Sequence, residues 1–219
     1  MRGGATDFIP GRNAMGIEIR NAFKSYKSVK VLDGLSLSFP DSGTVCLFGP
    51  SGCGKSTLLN CIAGLETLDA GWISGAENLR ISYLFQEDRL LPWSTAAQNI
   101  AAVLPGRNRM PQALEWLRRV GLDGAQDQYP CQLSGGMRRR VAIARALAFG
   151  GDLFLLDEPF QRLDSRSRRK IADLIEKTTA GKLKILVTHD REEADRLSEV
   201  ICILSGIPLK ILDKITNKD

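Results

Sequence analysis

Hydrophobic and polar positions alternate in the first part of the chain. Ile17 and Ile19 flank a polar residue, and Leu35, Leu37 and Phe39 alternate with Ser36 and Ser38. Alternation with period two predicts strands of an antiparallel sheet with one face covered. Pro40-Asp41-Ser42-Gly43 then turns the chain into a short, largely apolar run at 44–48, read as a strand. Beyond residue 57 the period changes. Leu58, Leu59, Ile62 and Ala63 share one face of a helix. The chain turns through Asp69-Ala70-Gly71 and Gly75, and alternation resumes at Ile81, Tyr83 and Phe85, closed by Gln86.

From residue 87 the pattern becomes helical and rich in loops. Pro105-Gly106 is a break, and Pro111 opens a helix that presents Leu114, Leu117 and Val120 on one face and ends at Gly121. Another helix runs through Arg138-Arg139-Arg140 to Ala148 and stops at Gly150-Gly151. Residues 152–156 form a short apolar strand ending in Asp157 and Glu158. A helix follows over 165–180, with Ile171, Leu174 and Ile175 inward. Residues 184–188 make a second buried strand, ending at His189, and Asp190 is placed to cap the next helix. Residues 200–204 and 208–212 read as a closing hairpin.

Strands alternating with helices predict an α/β fold with a mostly parallel sheet, an antiparallel β subdomain at its start and a helical subdomain inserted at 87–140. Residues 1–14, rich in Gly and Arg, are expected to form a poorly ordered leader, with 15–219 as one domain.

Composition narrows the class. Of the 219 residues 43% are hydrophobic and 25% charged, as in ordinary globular proteins. No apolar run is long enough to span a bilayer, and the first residues lack the apolar stretch of a secretory signal. The five cysteines show no C-x-x-C pairing, which points to reduced thiols rather than a disulfide frame or a zinc site. A net charge of +5 permits contact with nucleic acid or an anionic surface without specifying either.

The chemistry gathers at strand ends. Gly49-Pro50-Ser51-Gly52-Cys53-Gly54-Lys55-Ser56-Thr57 fits G-x-x-x-x-G-K-[ST] between a strand and a helix, the context of a phosphate-binding loop. Its N–H groups point at phosphate oxygens, Lys55 adds a cation near the terminal phosphates, and the Ser56 hydroxyl suits Mg2+. Asp157 is a candidate Mg2+ ligand, and Glu158 a candidate base for an attacking water. His189 can donate to a terminal phosphate, and Gln86 offers a metal-binding carbonyl and a donor for water. Ser134, Gly135 and Gly136 open a helix and make a second anion site, serving either their own loop or a neighbouring molecule. Tyr26, upstream of the loop, is either an edge residue or an adenine-stacking ring.

The phosphate loop, Gln86, the Leu133-Ser134-Gly135-Gly136-Met137 element, Asp157-Glu158, Leu163-Asp164 and His189 occur in the order and approximate spacing of ATP-binding cassette (ABC) transporter ATPases, which this chain resembles from about residue 16 to 212. The resemblance implies a P-loop NTPase core and a head-to-tail dimer holding two ATP molecules, each between the Lys55 loop of one copy and residues 134–136 of the other. It makes Tyr26 the adenine-stacking residue, Glu158 the catalytic base, His189 the γ-phosphate sensor and Asp164 the link between the two sites. It also implies transmembrane permease partners, gripped by the region after Gln86, and a position at the cytoplasmic face of the membrane. The stretch from Phe85-Gln86-Glu87-Asp88 through Arg89-Leu90-Leu91-Pro92-Trp93 is similar to bacterial importers of the nitrate, sulfonate and taurine group, and pyrimidine-precursor importers share it. Import would involve a solute-binding protein indirectly.

The chain departs from that family at Arg139, where Gln is common, and at Arg162, where a small residue commonly precedes Leu163-Asp164. The segment between Lys55 and Gln86 is also shorter than usual, and no control domain is expected after Leu212. An exporter or lipid-transport cassette is the alternative reading. Work on nucleic acid is disfavoured, because the arginines at 138–140 and the basic residues at 166–170 read as a solvated helix face.

Overall fold

The computed structural model describes residues 16–217, so the leader expected at 1–14 lies outside the described residues. In chain order the first part holds β1 (Glu18–Tyr26), β2 (Val29–Ser38), β3 (Gly43–Phe48), α1 (Lys55–Ile62), β4 (Ala70–Ser74) and β5 (Ile81–Leu84). Three helices follow, α2 (Ala96–Ala101), α3 (Arg109–Arg119) and α4 (Gly135–Phe149). The rest alternates: β6 (Leu153–Asp157), α5 (Ser165–Thr178), β7 (Leu183–Thr188), α6 (Arg191–Leu197), β8 (Val200–Ser205) and β9 (Lys210–Thr216).

A six-stranded sheet of order β5-β6-β7-β3-β8-β9 forms the centre. Its first five strands are parallel, and β9 closes it as an antiparallel hairpin with β8. A smaller antiparallel sheet of order β2-β1-β4 covers one side. The central strands bury both faces, so alternate residues enter different cores. Val45, Leu47, Leu153, Leu155, Ile185 and Val187 pack with the small sheet and α1. Cys46, Phe154, Leu156, Leu186 and Ile201 pack with helices on the other side. That double burial is why these strands read as continuous apolar runs.

Three local expectations need correction. The stretch read as a turn at 69–75 contains β4, an edge strand paired with β1, with Ile73 opposite Ile19. Ala70, Gly71 and Trp72 are exposed along it, so no buried alternation marks it. On α3 the buried residues are Ala113 and Leu117, continued by Val120, while Leu114 is 42% exposed. The small Ala113 side chain lets α3 approach α2 and α4, and the 100° step per residue turns Leu114 outward. Lastly, the arginines at 138–140 do not form a solvated face. Arg139 is buried, Arg138 donates to the carbonyl of Leu133, and Arg140 donates to that of Gly121.

Candidate functional site

Parallel β5, β6, β7 and β3 end at one edge, and their C-terminal residues converge there. The turn from β3 into α1 needs Gly54, which caps the helix at φ 105, a backbone that side chains rarely adopt. Lys55 folds back over this loop, and its Nζ donates to the carbonyls of Gly49 and Pro50 at 2.8 Å each. A cavity of about 200 Å3 opens above, lined by Ser51, Gly52, Gly54, Lys55, Ser56 and Thr57 of the loop, and by Gln86, Asp157 and Glu158.

Four of the expected groups meet in pairs. The Ser56 hydroxyl donates to Asp157 Oδ2 at 2.6 Å, joining positions 101 residues apart. Burial pushes the Asp157 carboxyl above its usual range, and the Ser56 hydroxyl only partly offsets this. The Ser56 hydroxyl and the Asp157 carboxylate are oxygen donors that converge at the cavity, a pairing that suits a hard cation.

Glu158 follows β6 with φ 50, a left-handed conformation costing about 1–2 kcal/mol for an L-residue. Its N–H is held by the carbonyl of Val187 at 2.9 Å. Its Oε1 lies 2.8 Å from Nδ1 of His189, which projects from the end of β7. That hydrogen bond raises the His189 pKa above its ordinary value.

Other expected residues lie elsewhere. Tyr26 is the last residue of β1, half-exposed, with its hydroxyl on Glu66. Burial and Glu66 raise its pKa, and Thr57 of the phosphate loop partly offsets them. Ser134 caps α4 through the Met137 N–H at 3.2 Å, and Asp164 caps α5 through the N–H groups of Arg166 and Ser167. None of Ser134, Gly135, Gly136 or Asp164 lines the phosphate-sized cavity of its own chain. Gly136 is pressed against the loop before α5, where an added Cβ would come within 2.9 Å of the Arg162 carbonyl. A larger cavity of about 480 Å3 lies between α5 and α6. Its charges neutralise one another, with Arg168 paired to Asp190 and Glu193, and it holds none of the loop groups.

Sequence reasoning missed Arg139 and Asp88. The guanidinium of Arg139 is 1% exposed and is wrapped by carbonyls from both sides of the site. A signal was available: Arg139 shares the helix face of Ile143 and Leu147, both buried, at steps of four.

A family model described as ABC transporter matches residues 32–161. An aliphatic sulfonates import ATP-binding protein of Agrobacterium fabrum is 44% identical over 198 residues, covering 86% of this chain and 75% of its own length. A taurine import ATP-binding protein of Escherichia coli O157:H7 is 38% identical over 215 residues, covering 91% and 83%. Among solved structures, the dimeric ATP-binding cassette MJ0796 in a post-hydrolysis state bound to ADP and Pi superposes with a TM-score of 0.83 at 30% identity, covering 93% of this chain and 99% of that one.

Proposed function

The chain belongs to the ABC transporter family of ATP-binding ATPases, and from that premise we propose that it is the subunit whose ATP hydrolysis powers import of a small sulfonate-type solute through separate permeases. The observation that carries this is the likeness, over most of the chain, to sulfonate and taurine import subunits. Among the described residues no helix is long and apolar enough to cross a membrane, in keeping with partners that supply the pathway. The assigned place is peripheral, at the cytoplasmic face of the membrane, and residues 87–140 are the assigned permease-facing subdomain. A solute-binding protein would deliver the cargo from the other side.

The residues divide the work as follows. Loop N–H groups from 51–57 cradle the phosphates, and Lys55 leaves the carbonyls of Gly49 and Pro50 for the β- and γ-phosphates. Ser56, Asp157 and Gln86 would hold Mg2+, which when bound neutralises charge on the phosphates. Glu158 accepts a proton from water as its oxygen bonds to the γ-phosphorus and the bond to the β-phosphate oxygen breaks, leaving ADP. His189 holds Glu158 before nucleotide arrives and turns to the γ-phosphate afterwards. Tyr26 supports the adenine. Residues 134–136 of a second copy close the site, and Asp164 lies between the two.

Deleting the gene in its host and growing the strain on taurine or alkanesulfonates as sole sulfur source tests the substrate class. Growth should fail, be restored by the unaltered chain and not by Glu158→Gln. Unimpaired growth of the deletion strain on every sulfonate would overturn the sulfonate assignment.

A further inference from the structure

Strands β5 and β6 run side by side, and their ladder stops at Leu84 opposite Leu156. Beyond that point no strand pairing holds the two segments together, yet here they carry Gln86 on one side and Asp157 and Glu158 on the other. One side chain from α4 fills the gap. Arg139 Nη1 donates to the carbonyls of Phe85 at 2.6 Å and Gln86 at 3.3 Å. Its Nη2 donates to the carbonyls of Asp157 at 2.7 Å and Glu158 at 2.8 Å, and its Nε to that of Pro159 at 3.1 Å. We propose that Arg139 is a positioning residue for ATP hydrolysis, a cross-link that sets the separation between Gln86 and the Asp157-Glu158 pair.

The chemistry suits that task. A guanidinium offers five N–H donors in a flat fork, so one group can face two strand ends at once. A lysine gathers its three donors on one nitrogen and cannot reach carbonyls spread over both segments. Glu158 has the most to lose, because its left-handed backbone is pinned through the carbonyl that Arg139 holds. A buried cation also needs an anion, and Asp88, 8% exposed at its side chain, supplies it at 3.4 Å. The same carboxylate reaches Arg162 at 3.4 Å, on the loop after β6. Arg139 and Arg162, the two departures from the family's usual residues, therefore meet on one carboxylate. Arg145, nearly two turns further along α4, donates to the Asp88 and Arg89 carbonyls and fixes the same segment.

This inference rests on the proposed roles of Glu158 and Gln86. Arg139→Lys, Arg139→Gln and Asp88→Asn test it, with the folded fraction from circular dichroism, affinity for a fluorescent ATP analogue, and kcat and KM from phosphate release. Folded variants should bind nucleotide within about twofold of the unaltered chain while kcat falls about ten- to a hundredfold, the scale of a misplaced catalytic group. Arg139→Lys should recover thermal stability ahead of kcat, a split that a merely structural role would not produce. Should the Arg139 variants fail to fold, Asp88→Asn decides the matter by the same kcat-against-KM reading. Glu158→Gln is the control. Normal turnover in Glu158→Gln overturns the site reading. An inactive Glu158→Gln beside folded Arg139 or Asp88 variants of unchanged kcat overturns this inference alone.

Discussion

His189 Nδ1 lies 2.8 Å from Glu158 Oε1, so the ends of β7 and β6 are bridged by the two groups assigned to the γ-phosphate and its attacking water. The imidazolium is the form that donates to the carboxylate without regard to tautomer, and the pair holds the His189 pKa above 6.5. A raised folded pKa contributes stability fully below the unfolded value, and that contribution is lost as pH rises through the folded one. The chain has one histidine, so a single imidazole resonance reports the titration. Its midpoint should lie above 6.5 without nucleotide and move down in Glu158→Gln. A midpoint at or below 6.5 in the unaltered chain counts against the contact.

Glu158→Gln keeps the shape and removes the base. Nucleotide affinity should be retained while phosphate release falls by about a hundredfold or more, the usual worth of a positioned general base. Steady-state release measured beside nucleotide titration checks both halves. Turnover near normal refutes the role.

Residues 134–136 lie outside the phosphate cavity of their own chain, in keeping with the two-copy site that the family resemblance implies. A Lys55→Ala chain and a Ser134→Arg chain should each be inactive. Mixed at high concentration they should recover part of the activity, because one composite site in the mixed pair is intact. No recovery, with both variants folded, sinks the two-copy arrangement.

Asn99 is buried, and its side chain accepts from the Leu91 N–H at 2.8 Å while donating to the carbonyls of Leu91, Ser94 and Thr95. It shapes the loop that leaves Trp93 73% exposed. Asn99→Ala should cost about 1–3 kcal/mol in urea unfolding, the range for buried polar groups stripped of a partner. A change below roughly 0.5 kcal/mol, the noise of a surface substitution, would show that water replaces the amide.

The parts of the site that follow one another along the chain are legible in the sequence itself. Gly49 to Thr57 and the Asp157-Glu158 pair carry their context in their neighbours, a strand before and a turn or helix after. The sheet is legible for the same reason, since double burial leaves unbroken apolar runs such as Leu153-Phe154-Leu155-Leu156. What is not legible depends on partners distant in sequence. β4 is recognisable only through β1, and Leu114 points outward because the buried face of α3 runs through Ala113 and Leu117. Arg139 misleads by its own charge, since the carbonyls that make its burial tolerable come from segments up to 54 residues away.

The six residues of β3 serve two cores at once, Val45 and Leu47 on one side and Cys46 and Phe48 on the other. Melting the helical layer or the small sheet alone would therefore strip one face of the same strand, so neither layer has an independent floor of stability. The molecule should lose its structure in one step, and the amides of β3, flanked by β7 and β8, should be the last to trade their protons for deuterium.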